Sequence, residues 1–503
     1  MTAPAKAADV MREEADGLRS DRPTSHDPPD RSSSDRTAGL PSGVLLAYYG
    51  DDFTGSTDAL ESMTAAGIPT LLCLDPPTPE LLARFPEVRC VGLAGSSRGR
   101  SPEWMAQTLP KAFASLAALG APIVQYKICS TFDSSPQVGS IGRAIDIGVD
   151  AVGGRWSPMV VGAPRLRRYQ MFGNLFAAVD GVGYRLDRHP TMSRHPVTPM
   201  HEADLRLHLR EQTTRRIELV DMLALRSARG GEHVDALAGD DVPVVLLDVL
   251  DAETLVAAGE TIWERRGERL FTASSSGLQY ALGAYWRARG WVPDTVTLPQ
   301  AQPVAQIAAV SGSCSPVTAL QIRHARDAGF HTERLDIERV LASATRDAEI
   351  ERVLKAAVDA LRSGRSALVF SANGPEDPTV LSFDALSRGA GLTRGDAARV
   401  IGQALAAVMQ RMLDRVPLKR VVVAGGDSSG EVAGALNVSA LSVAAAMAPG
   451  APICRAWSRN PQRDGLEIVL KGGQIGGANF FEEVCGGPSG RAAGSSVGSA
   501  QYG

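Results

Sequence analysis

Twice in this chain a short apolar run ends at a glycine-bearing turn, and small polar and acidic residues lead from it into a helix: VLLAYYGDDFTGSTDALE at 44–61 and KRVVVAGGDSSGEVAGAL at 419–436. Units of this kind dictate a parallel α/β sheet, because parallel strands need a crossover connection and a helix supplies it. The same reading applies to IPTLLCL, VRCVGLAG, IVQYKIC, MVVGAP and VPVVLLDVL in the first half, and to VAQIAAVSG, SALVFSA and LEIVLKGG in the second. Ligands of open α/β sheets bind beyond the carboxyl ends of the strands. The first turn offers carboxylates there, Asp51 and Asp52; the second offers bare backbone N–H groups around Gly425, Gly426, Ser428 and Ser429. An acidic site facing an anion-binding site suggests an enzyme that joins a hydroxyl-bearing substrate to a phosphate donor.

At 503 residues the chain exceeds one ordinary core and is expected to form two domains. We expect each to be built on a mainly parallel sheet with flanking helices, with the active site in the cleft between them. The Pro-rich stretch WVPDTVTLPQAQPVAQ, 291–306, is the best linker, which gives a substrate domain over 42–298 and a nucleotide domain over 299–485. The Pro-, Ser- and Gly-rich ends, 1–41 and 486–503, predict a disordered leader and tail. A net charge of −4 leaves no electrostatic footprint for nucleic acid. No apolar run reaches the length of a membrane span, and the N-terminus lacks the apolar core of a signal peptide. The six cysteines contain no CxxC pair, which argues against a disulfide framework or a zinc site and fits a reducing cytoplasm. The expected partners are therefore small molecules, and a homo-oligomer is left open.

In GDDFTGST one aspartate suffices to cap the helix that follows, and the second is then spare for chemistry. Phosphoryl transfer to a hydroxyl needs such a carboxylate to accept or orient the proton. In QYKICSTFDSSPQVGSIG, 125–142, Lys127 ends a strand and Ser130, Thr131 and Asp133 follow; the lysine suits a substrate carboxylate, though a polar surface loop would look the same. Cys129 reads as a small filler, not a nucleophile. Arg98, in GLAGSSRGRSP, suits a carboxylate through its planar fork. In RLDRHPTMSRHPVTP the cluster of Arg188, His189, Arg194 and His195 suggests anion binding or proton transfer, while any single exposed histidine reads as inert. SGSCSPVT, GGDSSGEV and LKGGQIGG, each after a strand, would together form nests of N–H groups for phosphates. The chain has no GxxxxGK[ST] and no strand followed by GxGxxG with an acidic residue at the required distance, so neither a P-loop nor a dinucleotide fingerprint is present.

Taken together, GDDFTGSTDALE, YKICSTFDSSPQVGSIG, RHPVTPMHEADL, VSGSCSPVTALQI, AGGDSSGEVAGAL and LKGGQIGGANFF resemble, in order, the blocks of the four-carbon acid sugar kinase family, over about Leu45 to Val484. The resemblance implies a two-domain α/β kinase whose N-terminal domain binds the acid sugar and whose C-terminal domain binds ATP. It implies that Asp51 and Asp52 serve the sugar side with Ser97, Arg98, Lys127, Ser130 and Asp133. It also implies ATP contacts at Ser311, Ser313, Gly425, Gly426, Asp427, Ser428, Ser429, Gly472 and Gly473. The loop YKICSTFDS looks like the branch acting on 3-oxo acid sugars, whereas threonate and erythronate kinases carry a DSTLRGN-type loop. Where 3-oxo-tetronate kinases show a segment like NGRTVYQG, this chain has APRLRRYQMFGNLF at 163–176. That departure on the substrate side makes a branched acid, 3-oxo-isoapionate, a candidate beside 3-oxo-tetronate. The expected reaction uses ATP and Mg²⁺, with one aspartate as base, Arg98 and Lys127 on the substrate carboxylate, and Arg194 and His195 lining the substrate side.

Overall fold

The computed structural model describes residues 39–179, 181–195 and 197–486, apart from the Asp427 side chain. Nearly all of the expected leader and tail lies outside the described residues.

A twelve-stranded sheet runs through the molecule. From one edge its strands are Leu270–Ser274, Ile123–Lys127, Leu46–Gly50, Cys90–Ala94 and Thr70–Cys73, and then Val438–Ala448, Ala451–Ser458, Glu467–Lys471, Arg420–Ala424, Ala308–Ser311, Ala367–Phe370 and His331–Arg334. The first five are parallel to one another, as are the last five. Every residue of Leu46–Gly50, Cys90–Ala94, Ile123–Lys127 and Arg420–Ala424 is buried, which is why these segments are mostly apolar, with Gln125, Lys127 and Arg420 as buried polar exceptions. The two parallel sheets of the α/β expectation are thus present, but they are not separate. The hairpin Val438–Ala448/Ala451–Ser458 is antiparallel to both neighbours and joins them, with Leu441 opposite Leu72 and Ala440 opposite Cys73.

Between Ala288 and Ala308 the chain forms no helix or strand, and Ala446 N–H bonds the Pro299 carbonyl at 3.0 Å. MVVGAP is a strand only at its start, the end of Ser157–Met159, which pairs with Val244–Leu247, itself paired on its other side with Ile217–Val220. The strand and its continuation join the main sheet through both side chains and main chain: Val160 N–H donates to Ser274 Oγ at 3.0 Å, Thr272 Oγ1 donates to the Pro158 carbonyl at 2.7 Å, and Ser275 N–H donates to the Val160 carbonyl at 2.9 Å. Next comes an antiparallel three-stranded unit, Arg168–Met171, Asn174–Val179 and Val182–Arg185. The buried Asp248 carboxylate anchors its first turn by accepting from the Phe172 and Gly173 N–H groups.

One further contact ties the halves together. Glu61, on the helix Phe53–Ala65, accepts a 2.7 Å hydrogen bond from the Gly450 N–H in the hairpin turn. Burial, with the nearby Asp58 charge adding to it and the Gly450 bond opposing it, pushes the Glu61 carboxyl up to about 7. A carboxyl whose folded value exceeds its unfolded one favours folding while protonated, and loses that contribution as pH rises through the folded value. Wild-type thermal stability should therefore fall between about pH 5 and pH 7.5. Glu61→Gln, read by melting temperature across that range, should flatten this part of the curve.

Candidate active site

The strand Leu46–Gly50 delivers Asp51 and Asp52 to the carboxyl edge of the sheet, and a single guanidinium organises both. Arg98 Nε and Nη2 donate to the two Asp51 oxygens at 3.1 and 2.7 Å, while Nη1 and Nη2 donate to the two Asp52 oxygens at 2.9 Å each. Asp52 caps the helix Phe53–Ala65 by accepting from Gly55 N–H at 2.7 Å, and it also accepts from Thr54 Oγ1 at 2.7 Å. Its four lone-pair positions are therefore all engaged, whereas among the described residues the Asp51 carboxylate accepts the two bonds from Arg98 and no others. The two carboxyls are driven apart in acidity. Burial pushes the Asp51 carboxyl above its ordinary range, making it the weaker acid, with Arg98 opposing and Asp52 adding to the rise. Burial would raise Asp52 as well, but Arg98, the Thr54 hydroxyl, Lys127 and the Gly55 amide outweigh it and hold the group below its ordinary range.

Lys127 is buried, with its Nζ 3.5 Å from Asp58 and 3.2 Å from the Ile128 carbonyl. Beyond it, Thr131 Oγ1 donates to Asp133 at 2.8 Å and approaches Cys129 Sγ at 2.9 Å. Burial, with Asp133 adding to it, pushes the Cys129 thiol up to about 11, so it is protonated at neutral pH, as a filler would be. Gly139, at φ +61°, lets this loop close on the arginine turn: a Cβ there would lie 2.3 Å from the Arg98 carbonyl oxygen. Thus Asp51, Asp52, Arg98, Lys127 and the Ser130–Asp133 loop share one end of the sheet. Ser97 stands behind them, fully buried, its hydroxyl 2.9 Å from that of Tyr126. It supports the Arg98 turn. Arg194 is exposed, and His195 folds its Nδ1 onto Thr198 N–H and Oγ1 at 3.1 and 3.0 Å, so the bonds of this histidine are local.

The second half brings its three glycine-rich segments together. A Cβ at Gly312 would lie 2.0 Å from Ser428 Oγ, one at Gly425 3.3 Å from Ser313 N, and one at Gly473 2.7 Å from Ser313 Oγ. The serine hydroxyls shape these turns: Ser311 accepts from Ser313 N–H, Ser313 from Ser315 N–H, and Ser429 donates to the Gly425 carbonyl. The helix Gly426–Ala435 starts here without a side-chain cap, so its first N–H groups are free of intrahelical acceptors, as at any helix start. That positive end abuts the acidic turn, since a Cβ at Gly426 would lie 3.5 Å from Asp52 Oδ2 and 4.0 Å from Thr54 Oγ1. Gly472 lies in the same bend, and the Asp427 side chain is outside the described residues.

Sequence reasoning passed over two cations. Lys471 precedes Gly472; it is fully buried, with its Nζ 3.2 Å from Thr318 Oγ1. Lys471 ends its strand as Lys127 does, but the glycines of LKGGQIGG that follow it carry the phosphate-nest signal and mask it. Arg168 stands in the departing segment 163–176, near Asp133 and Cys129. The APRLRRYQ run presents several arginines, and spacing alone does not pick one. Among the described residues no group of three or more His, Cys, Asp or Glu could hold a metal ion, and no helix is long and apolar enough to cross a membrane.

A carboxylate-and-guanidinium site apposed to an open helix N-terminus and glycine nests, across one α/β sheet, defines a phosphotransferase-type architecture with a substrate half and a nucleotide half. Residues 46–282 match the family model of a sugar-binding N-terminal domain, and residues 308–481 that of a nucleotide-binding C-terminal domain. The chain belongs to the four-carbon acid sugar kinase family, which pairs these two domains, and it is a kinase of that family. It is 69% identical to the 3-oxo-isoapionate kinase of Paraburkholderia graminis, over 91% of this chain and 97% of that one. It is 31% identical to the 3-oxo-tetronate kinase of Methylobacterium radiotolerans, over 87% and 98%. In fold it is similar to the crystal structure of Haemophilus influenzae protein HI1011, with a TM-score of 0.63 at 23% identity, over 87% of this chain and 99% of that one.

Proposed function

We propose that this chain transfers the γ-phosphoryl group of ATP to a terminal hydroxyl of 3-oxo-isoapionate. The observation that carries the choice of acid is the 69% identity to a 3-oxo-isoapionate kinase against 31% to a 3-oxo-tetronate kinase. The divergent segment 163–176 agrees with it.

In this reading Asp51 takes the proton of the attacking hydroxyl. Its upward-shifted pKa and its lone pairs left unfilled by described residues suit a base, and geometry and pKa must both fit for that role. Asp52, held ionised, caps its helix and fixes Arg98, so the pair works as two carboxylates with separate tasks. Lys127 and the Ser130–Asp133 loop would orient the substrate hydroxyls. The N–H groups at the start of Gly426–Ala435, with the 311–315 and 472–473 turns, would hold the triphosphate. Mg²⁺ usually keeps several waters and needs only one or two protein carboxylates beside substrate phosphates, which suits a site with no three-ligand cage; it would neutralise charge on the triphosphate. Catalysis on this plan is positioning and electrostatics, with the two halves excluding water. All six cysteines are free, which fits a cytoplasmic enzyme.

The test is ADP release with Mg²⁺-ATP and a panel of 3-oxo-isoapionate, 3-oxo-tetronate, threonate and erythronate. The highest kcat/KM is expected for 3-oxo-isoapionate, and a higher value for 3-oxo-tetronate would overturn the choice of acid. Turnover of threonate or erythronate alone would place the chain outside the 3-oxo branch.

A further inference from the structure

The substrate in the reading above is an anion, and the two cations that sequence reasoning assigned to its carboxylate are already engaged. Arg98 holds Asp51 and Asp52 through four bonds, and Lys127 faces Asp58. Resting on that reading of the function, we propose that Arg168 is the residue that binds the substrate carboxylate.

Three observations support it. Among the described residues Arg168 makes no ion pair, and its described hydrogen bonds run from Nη1 to the main-chain carbonyls of Leu166 and Arg167, at 2.9 and 3.3 Å. Its Nε is buried and has no hydrogen-bond partner. A buried, unpaired guanidinium N–H costs free energy unless a ligand completes it. The side chain also lies where the substrate belongs. It interacts electrostatically with Asp133, in the loop that follows Lys127 beside Asp51, Asp52 and Arg98. On the other flank is His189, buried and holding Nδ1 as an acceptor for the Thr191 and Met192 N–H groups. That bonding leaves Nε2 of a neutral ring as the protonated atom.

Position in the chain adds specificity. Arg168 opens the strand Arg168–Met171, whose far end is fixed by Asp248 through Phe172 and Gly173. The guanidinium is thus carried on a pinned strand. A planar fork binds a carboxylate bidentately, which a lysine cannot reproduce.

The test is steady-state kinetics of Arg168→Ala and Arg168→Lys with 3-oxo-isoapionate and ATP varied separately. For both variants KM for the acid should rise at least tenfold, more in Arg168→Ala, with KM for ATP unchanged and kcat within a few-fold. Added guanidinium ion should restore part of the acid affinity of Arg168→Ala, which a merely structural role would not allow. An unchanged KM for the acid, or an equal rise for acid and ATP, would overturn the proposal. Should the alanine variant not fold, the lysine variant decides, since it keeps the charge and removes only the fork. Wild-type enzyme that turns over none of the 3-oxo acids would instead count against the proposed function, so the two failures are distinct.

Discussion

Asp51→Asn should lower kcat by about a hundred- to ten-thousand-fold, the usual contribution of a positioned general base, with KM for ATP little changed. The expectation follows from how differently the two adjacent carboxylates are held. Asp52 has every acceptor position filled, by Gly55, Thr54 and two nitrogens of Arg98. Among the described residues the Asp51 carboxylate is bound by Arg98 alone, and burial pushes the group above its ordinary range. Asparagine preserves the shape and keeps one acceptor oxygen, but it cannot take a proton. The paired variant Asp52→Asn is the control. Asn caps helices as well as Asp does, so the helix Phe53–Ala65 should persist and stability should change little. Its turnover should fall less than that of Asp51→Asn, through looser placement of Arg98. Kinetics on both variants, with ATP binding measured by isothermal titration calorimetry, check this. Equal losses, or a larger one in Asp52→Asn, would transfer the base to Asp52.

Much of this arrangement was legible in the sequence, for a definite reason. Strands buried on both faces must be continuous apolar runs, so Leu46–Gly50, Cys90–Ala94 and Arg420–Ala424 announce themselves. The turns after them carry the acidic and glycine-rich residues from which the candidate site was read. The joining hairpin was not legible. NVSALSVAAAMAPGAPICRAWS is rich in alanine, a helix former, and its strand character comes from neighbours on both sides, one of them more than three hundred residues away in sequence. Leu270–Ser274 hid likewise behind Thr and Ser, whose hydroxyls turn out to splice the smaller parallel sheet onto the larger. At the site, residue types were readable but partners were not. A sequence shows Arg98 and two aspartates; only the fold shows that the arginine holds both of them, and that Ser97 faces Tyr126 instead of a ligand.

Lys471→Met should weaken ATP binding at least tenfold without destabilising the free enzyme. Lys471 is fully buried, and among the described residues its ammonium makes no ion pair; its one described hydrogen bond is to the Thr318 hydroxyl, and the Phe480 ring lies 5.4 Å away. Thr318 itself belongs to the first turn of the helix Pro316–Asp327, whose N-terminus is also electropositive. Two positive elements, beneath the turn that holds Gly472 and Gly473, call for an anion from outside the chain. Burial pulls the lysine down to about 8 from its ordinary value. At roughly 1.4 kcal/mol per unit, the charged form costs the folded protein on the order of 3 kcal/mol. The sign of the pH effect follows. Between about pH 8 and pH 10.5 the unfolded lysine keeps its proton while the folded one has lost it, so stability rises with pH over that window. Methionine fills a similar volume without charge, so Lys471→Met should melt no lower than wild type at pH 7 and should lose that rise. The upward shift in melting temperature that ATP gives the wild type should shrink with it, because stabilisation by a ligand follows its affinity. A variant that melts several degrees lower, yet keeps its full response to ATP, would make Lys471 a packing residue and leave the triphosphate to the backbone nests alone.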